Sequence, residues 1–179
     1  WDGSNGAKKA IATLHQVEQQ PNTVTVKWDG SPAVIFGRNE KGEFVLTDKS
    51  GFSAKGYDGK PTSPDNLKDM FLNRKGGANR SNPGYVAFAN SMKNIFKTYK
   101  TALPEEFEGY YKGDLLYYTT PPINKDGYFE FTPNIVTYQV KQDSALGAKI
   151  KASTTGVVVH RVLDDKGTEV SVTADLNQV

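Results

Sequence analysis

The sequence has no cysteine and only two histidines, His15 and His160. Without cysteine the chain forms no disulfide bond and no thiolate metal site, and this composition fits a reducing compartment. Two imidazoles leave little material for a zinc site. These absences exclude the disulfide-stapled and zinc-thiolate classes of protein.

Long hydrophobic runs are also absent. No apolar segment approaches the roughly 20 residues that span a bilayer, and the first ten residues, WDGSNGAKKA, lack the apolar stretch of a secretory signal. The mean hydropathy is −0.56. We expect a soluble protein without a membrane partner, with residues 1–179 forming one domain with a real core. Because the chain begins at Trp1, we expect it to be part of a longer protein.

Charge of one sign is not in large excess, since the net charge is only +2. Such a balance permits nucleic-acid binding where basic residues cluster. Two clusters of basic residues are visible. One contains Arg74, Lys75 and Arg80, and the other contains Lys93, Lys97 and Lys100 on one side of a predicted helix. For both clusters the alternative is an ordinary solvated surface.

Periodicity predicts an α+β fold with a mainly antiparallel sheet system and about three helices. The predicted helices are 7–20, 63–73 and 85–102, and the segments 50–62 and 76–84 are predicted loops. The predicted strands are 23–28, 33–38, 43–48, 109–118, 128–131, 134–141, 156–163 and 168–173.

The stretch VTVKWDGSPAVIFG, residues 24–37, combines two predicted strands with an Asp-Gly turn and places Lys27 at the end of the first strand. Taken alone, Asp-Gly between alternating strands is an ordinary hairpin signal. The stretch also resembles motif I of the covalent nucleotidyltransferases, the superfamily of DNA ligases, RNA ligases and RNA-capping enzymes. Its form KWDGS is most similar to the bacteriophage RNA ligases. Where DNA ligases carry an arginine this chain has Pro32, and the nearest arginine is Arg38.

Further segments resemble later motifs of the same superfamily, in the same order. They are EFVLTDKSGF (43–52), GYYKGDLLYY (109–118), YFEFTPNIVTYQV (128–140) and TTGVVVHRV (154–162). The resemblance runs from about residue 23 to residue 163. The chain is also similar to an uncharacterised family of phage-encoded proteins that carry the same KWDG segment.

The resemblance implies a ligase-type adenylation domain with a nucleotide cleft between sheets. It implies ATP as substrate, Mg²⁺ or Mn²⁺ as cofactor, and a lysyl-AMP intermediate. The AMP would pass to the 5′-phosphate of an RNA or DNA end. A phage-encoded protein in the host cytoplasm would fit this activity.

The resemblance also implies a set of site residues. Lys27 would be the nucleophile, and Asp114 would hold the ribose or the metal. Val158 and an aromatic ring would sandwich the adenine, and Lys49 would neutralise phosphate charge. The remaining nucleotide-binding candidates are Thr25, Asp29, Gly30, Arg38, Phe131 and Tyr138.

Two departures from the family pattern stand out. In the segment 154–162, Thr155 replaces a glutamate and His160 replaces a lysine. A hydroxyl carries no charge and binds Mg²⁺ weakly. In addition, no late strand with two lysines follows His160, since Lys166 is the single lysine after it.

Two alternatives to a ligase-like enzyme therefore stay open. One is a catalytically degraded relative that binds nucleotide or nucleic acid, or serves as a phage structural protein. The other is an unrelated α+β interaction domain in which KWDG is only a turn. The sequence also leaves open the oligomeric state and the choice between RNA and DNA.

Overall fold

The computed structural model describes residues 33–53, 60–164 and 166–170. Its strands are β1 (Ala33–Arg38), β2 (Phe44–Asp48), β3 (Gly109–Tyr117), β4 (Tyr128–Phe131), β5 (Tyr138–Lys141), β6 (Gly156–Leu163) and β7 (Glu169–Val170). Its helices are α1 (Lys49–Ser53), α2 (Pro64–Asn73), α3 (Pro83–Ala102) and α4 (Ala145–Lys151), with a 3₁₀ segment at Arg74–Ser81. The predicted helix 7–20 and strand 23–28 lie outside the described residues.

The main sheet has five strands in the order β2-β1-β3-β6-β7, and all its pairings are antiparallel. A separate two-stranded antiparallel sheet joins β4 and β5. This architecture confirms the predicted α+β class with antiparallel sheets and few helices.

The turn between β1 and β2 follows from its sequence. The Oδ1 atom of Asn39 accepts hydrogen bonds from the backbone nitrogens of Lys41 and Glu43, each at 3.0 Å. Gly42 has a φ of 74°, a backbone conformation that side chains disfavour. The polar turn and the alternating residues on either side fix the hairpin where the sequence predicts it.

Helices α2 and α3 begin at signals that the sequence carries. The Ser63 hydroxyl accepts a hydrogen bond from the Asn66 backbone nitrogen at 3.1 Å, and Asn82 caps Tyr85 in the same way. In both helices a proline occupies the first turn, where its missing N–H costs nothing. Across the described residues, no helix has both the length and the apolarity that a membrane span requires.

Helices α2 and α3 cover one face of the sheet. Alternate residues of β1, among them Val34 and Phe36, pack with Leu115 of β3 against Met70 of α2 and Phe96 of α3. A smaller cluster on the other face joins Ile35, Val45, Tyr110 and Leu163, with Phe52 of α1 packed against it. The sheet therefore has a helix face, which carries α2 and α3, and a second face, against which Phe52 of α1 packs. We use the name open face for the second one.

Some local predictions are wrong. The loop predicted at 50–62 begins with α1, and the loop predicted at 76–84 is occupied by the 3₁₀ segment and the start of α3. Strand β5 begins at Tyr138 rather than at residue 134, because Asn134 turns the chain by accepting a hydrogen bond from the Val136 nitrogen. Helix α4, capped by Ser144, is not predicted from the sequence at all.

Candidate functional site

The open face of the sheet presents Asp114 near the end of β3. Its neighbour Leu115 is buried in the helix-side core, and successive residues of a strand point to opposite faces. Asp114 lies opposite Ala33 on one side and opposite Val158 on the other. Directly paired residues share a face, so the side chains of Ala33, Asp114 and Val158 form a row across three strands. Val158 is 51% exposed.

A β-bulge in β6 lies next to this row. Lys112 lies opposite Arg161, whereas the next residue, Gly113, lies opposite Val159. One extra residue, His160, is therefore inserted in β6. His160 lies two residues after Val158, so alternation places its side chain on the same face, and the bulge leaves it without a directly paired residue in β3.

The imidazole of His160 lies beside the carboxylate of Asp114. The Nε2 atom of His160 is 3.6 Å from Oδ1 of Asp114, and both side chains are about a quarter exposed. In the sequence, His160 stands out only because it replaces a lysine of the superfamily pattern. Its position two residues after Val158 is the feature that indicates a shared face of the sheet.

Lys49 lies at the same end of the sheet as Asp114. The register pairs Asp48 with Val34, the residue after Ala33, and Lys49 follows as the first residue of α1. The Asp48 carboxylate accepts two hydrogen bonds from the Arg74 guanidinium, each at 2.5 Å, and one from the Gly51 backbone nitrogen. These bonds fix the start of α1 and raise the pKa of Arg74 above its usual value. The ammonium group of Lys49 is left exposed at this end.

The two predicted aromatic residues lie together on the small sheet. Phe131 and Tyr138 are paired across β4 and β5, and their rings stack with centroids 5.5 Å apart at 13°. The ring of Tyr117 packs edge-on against Phe131 at 5.2 Å, three residues beyond Asp114 along β3. The small sheet is therefore joined to the Asp114 end of the main sheet through Tyr117.

The structure does not bring Arg38 together with Asp114. Arg38 ends β1 opposite Gly109, five residues from Ala33, which is roughly 17 Å along a strand. Its buried guanidinium donates hydrogen bonds to the carbonyls of Leu103, Pro104 and Gly42. Arg38 therefore ties the end of α3 and the β1–β2 turn to the sheet.

Thr155 is committed to a hydrogen-bond network on the helix side. Its hydroxyl donates to the Tyr117 carbonyl at 3.0 Å and lies 3.2 Å from the hydroxyl of Tyr99. Since the single hydroxyl proton of Thr155 is used, Tyr99 donates to Thr155. Burial raises the pKa of Tyr99 to about 12. Thr155 is thus a structural link between α3 and the end of β3.

The residues predicted around the nucleophile, Thr25, Lys27, Asp29 and Gly30, lie outside the described residues. They precede Ala33 closely in the sequence, and Ala33 is the residue of β1 that pairs with Asp114.

A divalent metal fits this arrangement in one way. Within residues 33–53, 60–164 and 166–170 no group of three or more His, Cys, Asp or Glu side chains forms a ready-made metal site. Mg²⁺ in nucleotide sites needs no such cage, because one or two carboxylates, water and the substrate phosphates complete its coordination. Asp114 is the described carboxylate that would contribute to it.

Comparison with known proteins gives one match. A family model, described as a family of unknown function (DUF6267), matches residues 1–58 and 69–177. No curated protein and no solved structure matches the chain. Because the family model covers nearly the whole sequence, the chain belongs to this family of unknown function, DUF6267.

Proposed function

We propose that this protein is a ligase-like nucleotidyltransferase that transfers AMP from ATP to its own Lys27 and then to the 5′-phosphate of an RNA or DNA end. One observation carries the proposal. Three segments that resemble nucleotidyltransferase motifs supply Lys49, Asp114 and Val158, and all three residues lie at one end of the sheet. The same end begins at Ala33, six residues after Lys27.

The first step is written from the chemistry of an amine and a phosphoanhydride. The Lys27 Nζ atom attacks the α-phosphorus of ATP, and a P–N bond forms. The bond from the α-phosphorus to the bridging oxygen of the β-phosphate breaks, and pyrophosphate leaves with the electron pair. The amine proton passes to solvent. A lysine with its ordinary pKa of about 10.4 is mostly protonated at neutral pH, so its surroundings must favour the neutral amine.

The next step returns the enzyme to its starting state. An oxygen of the polynucleotide 5′-phosphate attacks the phosphorus of lysyl-AMP, the P–N bond breaks, and Lys27 takes up a proton. The products are free Lys27 and a 5′-adenylylated end. A 3′-hydroxyl then displaces AMP to join two strands.

The described residues support binding of the nucleotide. Asp114 on the open face would accept hydrogen bonds from the ribose hydroxyls or contribute to a metal, and Val158 beside it would pack against the base. Phe131 and Tyr138 would supply the second face of the base sandwich. The exposed ammonium of Lys49 would meet the phosphates. Mg²⁺ or Mn²⁺, when bound, would offset the negative charge of the leaving pyrophosphate.

The proposal is tested with ATP labelled on the α-phosphate or on the γ-phosphate. After incubation with Mg²⁺ or Mn²⁺ the protein is denatured and separated from free nucleotide. We expect the α-label to stay on the protein and to be released by mild acid, as a P–N bond would be, whereas the γ-label is lost. Lys41→Ala, in the β1–β2 turn, is the matched control and should label like the native chain. Retention of the γ-label would indicate protein phosphorylation and overturn the proposal.

A second candidate is a relative that binds nucleotide without the covalent step. The position of Thr155 favours this candidate. Thr155 stands where the nucleotidyltransferase pattern has a glutamate, and its hydroxyl is bonded to the Tyr117 carbonyl, so the position offers no carboxylate. Reversible ATP binding that Asp114→Asn weakens, with no covalent label under any condition, would support this candidate.

A further inference from the structure

Two adjoining grooves lie on the side of the molecule that carries α3. The first has a volume of about 500 Å³ and lies between α3 and the segment after β3, with Lys97, Thr98 and Thr120 among its lining residues. The second has a volume of about 470 Å³ and runs past Phe88 to Phe131 of β4. Tyr118 and Thr119 line both grooves, so they form one continuous surface.

The first groove has the chemistry of a phosphate-binding surface. Its described lining consists of hydroxyls, the Asn94 side chain, Lys97 and apolar atoms, and it contains no acidic residue. Helix α3 carries three lysines and no acidic residue along its whole length. Lys93 is paired with Asp65 at 2.5 Å, whereas Lys97 and Lys100 are exposed and form no ion pair with another described residue. Lys97, the one charged residue of this lining, therefore favours an anionic ligand in the groove.

The second groove has the chemistry of a base-stacking surface. The ring of Tyr118 is 45% exposed, and it is held in place by an edge contact with Phe88 at a centroid distance of 5.8 Å. Pro121, Pro122 and Pro133 add apolar surface nearby. The carboxylate of Glu130, the one acid of this lining, accepts hydrogen bonds from Gln139 and Asn124, and these bonds lower its pKa. An exposed aromatic ring beside a basic groove is the arrangement that binds successive bases and phosphates of a single strand.

We propose that this surface binds single-stranded nucleic acid, with the phosphate backbone along Lys97 and Lys100 and a base stacked on Tyr118. Charge complementarity selects a polyanion, and the exposed ring selects unpaired bases over a duplex or an acidic peptide. The surface lies on the helix face, whereas Asp114 lies on the open face. Binding at Lys97 and Tyr118 does not depend on the covalent chemistry of Lys27, although Phe131, at the far end of the second groove, also belongs to the proposed nucleotide site.

The test measures fluorescence anisotropy of a labelled 15-nucleotide single strand without end phosphates, titrated with the whole chain and with no ATP present. A duplex of the same length and a polyglutamate peptide are the competing partners. We expect single strands to bind more tightly than both, with an affinity that falls steeply as salt is raised.

Three variants resolve the contacts. Lys97→Glu should weaken binding roughly tenfold or more and reduce the slope of log affinity against log salt by about 1. Tyr118→Leu should weaken binding by at least about fivefold and leave the slope unchanged, because stacking is worth about 1–3 kcal/mol per base. Lys41→Glu places the same charge reversal in the exposed β1–β2 turn, outside the lining of both grooves, and should leave binding within about twofold of the native value.

Circular dichroism of each variant verifies that the native fold is retained. Binding that Lys97→Glu and Tyr118→Leu leave at the native level would overturn the proposal. Equal affinity for polyglutamate would also overturn it and indicate a surface for acidic protein segments.

Discussion

The imidazole of His160 and the carboxylate of Asp114 face each other across two strands, with Nε2 and Oδ1 3.6 Å apart. His160 shares the open face with Val158, two residues earlier, and it is the extra residue of a single-residue bulge in β6. In the superfamily that the sequence resembles, a lysine stands at this position. The chain therefore places an imidazole where the superfamily pattern has a permanent positive charge.

Substitution of His160 tests whether its imidazole takes part in the reaction with ATP. A lysine has an ordinary pKa of about 10.4 and stays charged at pH 8, so His160→Lys should raise the initial rate of covalent labelling by roughly fivefold at that pH. His160→Gln, which keeps a hydrogen-bonding side chain without charge, should lower the rate. The rates are measured with α-labelled ATP. Equal rates for both variants and the native chain would remove His160 from the site.

Gly113 sets the geometry of the bulge. A Cβ atom added to Gly113 would lie 2.4 Å from the Val158 carbonyl oxygen and 2.9 Å from the Val157 Cγ2 atom. We expect Gly113→Ala to lower the free energy of unfolding by about 2 kcal/mol, because β3 and β6 must move apart. Urea denaturation measures the change.

The control for this variant is Gly84→Ala in the first turn of α3, where the added atom meets only Asn82 Oδ1 at 3.4 Å. That substitution should leave stability unchanged or raise it by up to about 1 kcal/mol. A Gly113→Ala protein as stable as Gly84→Ala would contradict the geometry of the bulge.

Tyr99 gives the fold a specific sensitivity to alkaline pH. Its pKa is raised from 10.0 to about 12 in the folded protein, mainly by burial. Below pH 10 the hydroxyl is protonated in both folded and unfolded chains. Between pH 10 and 12 the unfolded chain releases this proton first, so stability falls as pH rises through that range.

A shift of this size corresponds to about 2–3 kcal/mol lost by pH 12. In Tyr99→Phe this part of the pH dependence should vanish, while Thr155 keeps its hydrogen bond to the Tyr117 carbonyl. Urea unfolding of both proteins at pH 9 and pH 11 makes the comparison. Identical losses in the two proteins would show that the Tyr99 hydroxyl is not the responsible group.

Arg38 should act on stability rather than on nucleotide binding. Its guanidinium is 7% exposed and donates to three backbone carbonyls, so Arg38→Met should cost about 3 kcal/mol of unfolding free energy. ATP affinity, measured by calorimetry below the melting temperature, should not change. A loss of ATP affinity in a protein of native stability would restore Arg38 to the nucleotide site.

Local patterns predicted much of the fold. The cap residue Ser63, followed by proline, marks the predicted start of α2, whereas α3 begins at Pro83 after the cap residue Asn82, two residues before the predicted start at residue 85. The spacing of Met92, Ile95 and Tyr99 identifies the buried face of α3. These features depend on residues close in the sequence, where propensity and capping determine the outcome.

The features that the sequence did not predict depend on distant residues. The bulge at His160 follows from the register between β3 and β6, and a shift of one residue reverses the face of a side chain. The side chain of Arg38 is positioned by hydrogen bonds to the backbone carbonyls of Leu103 and Pro104, which lie 65 and 66 residues away in the sequence. The role of Thr155 likewise depends on Tyr99, which lies on a different element.

The covalent attachment of AMP to Lys27 is the central claim, and intact mass spectrometry tests it most directly. The native chain and Lys27→Ala are each incubated with ATP and Mg²⁺ or Mn²⁺, desalted and weighed. The account predicts that the native chain gains about 329 Da, the mass of one adenylyl group, and that Lys27→Ala gains nothing. A folded native chain with no added mass, or the same gain in both proteins, would contradict it.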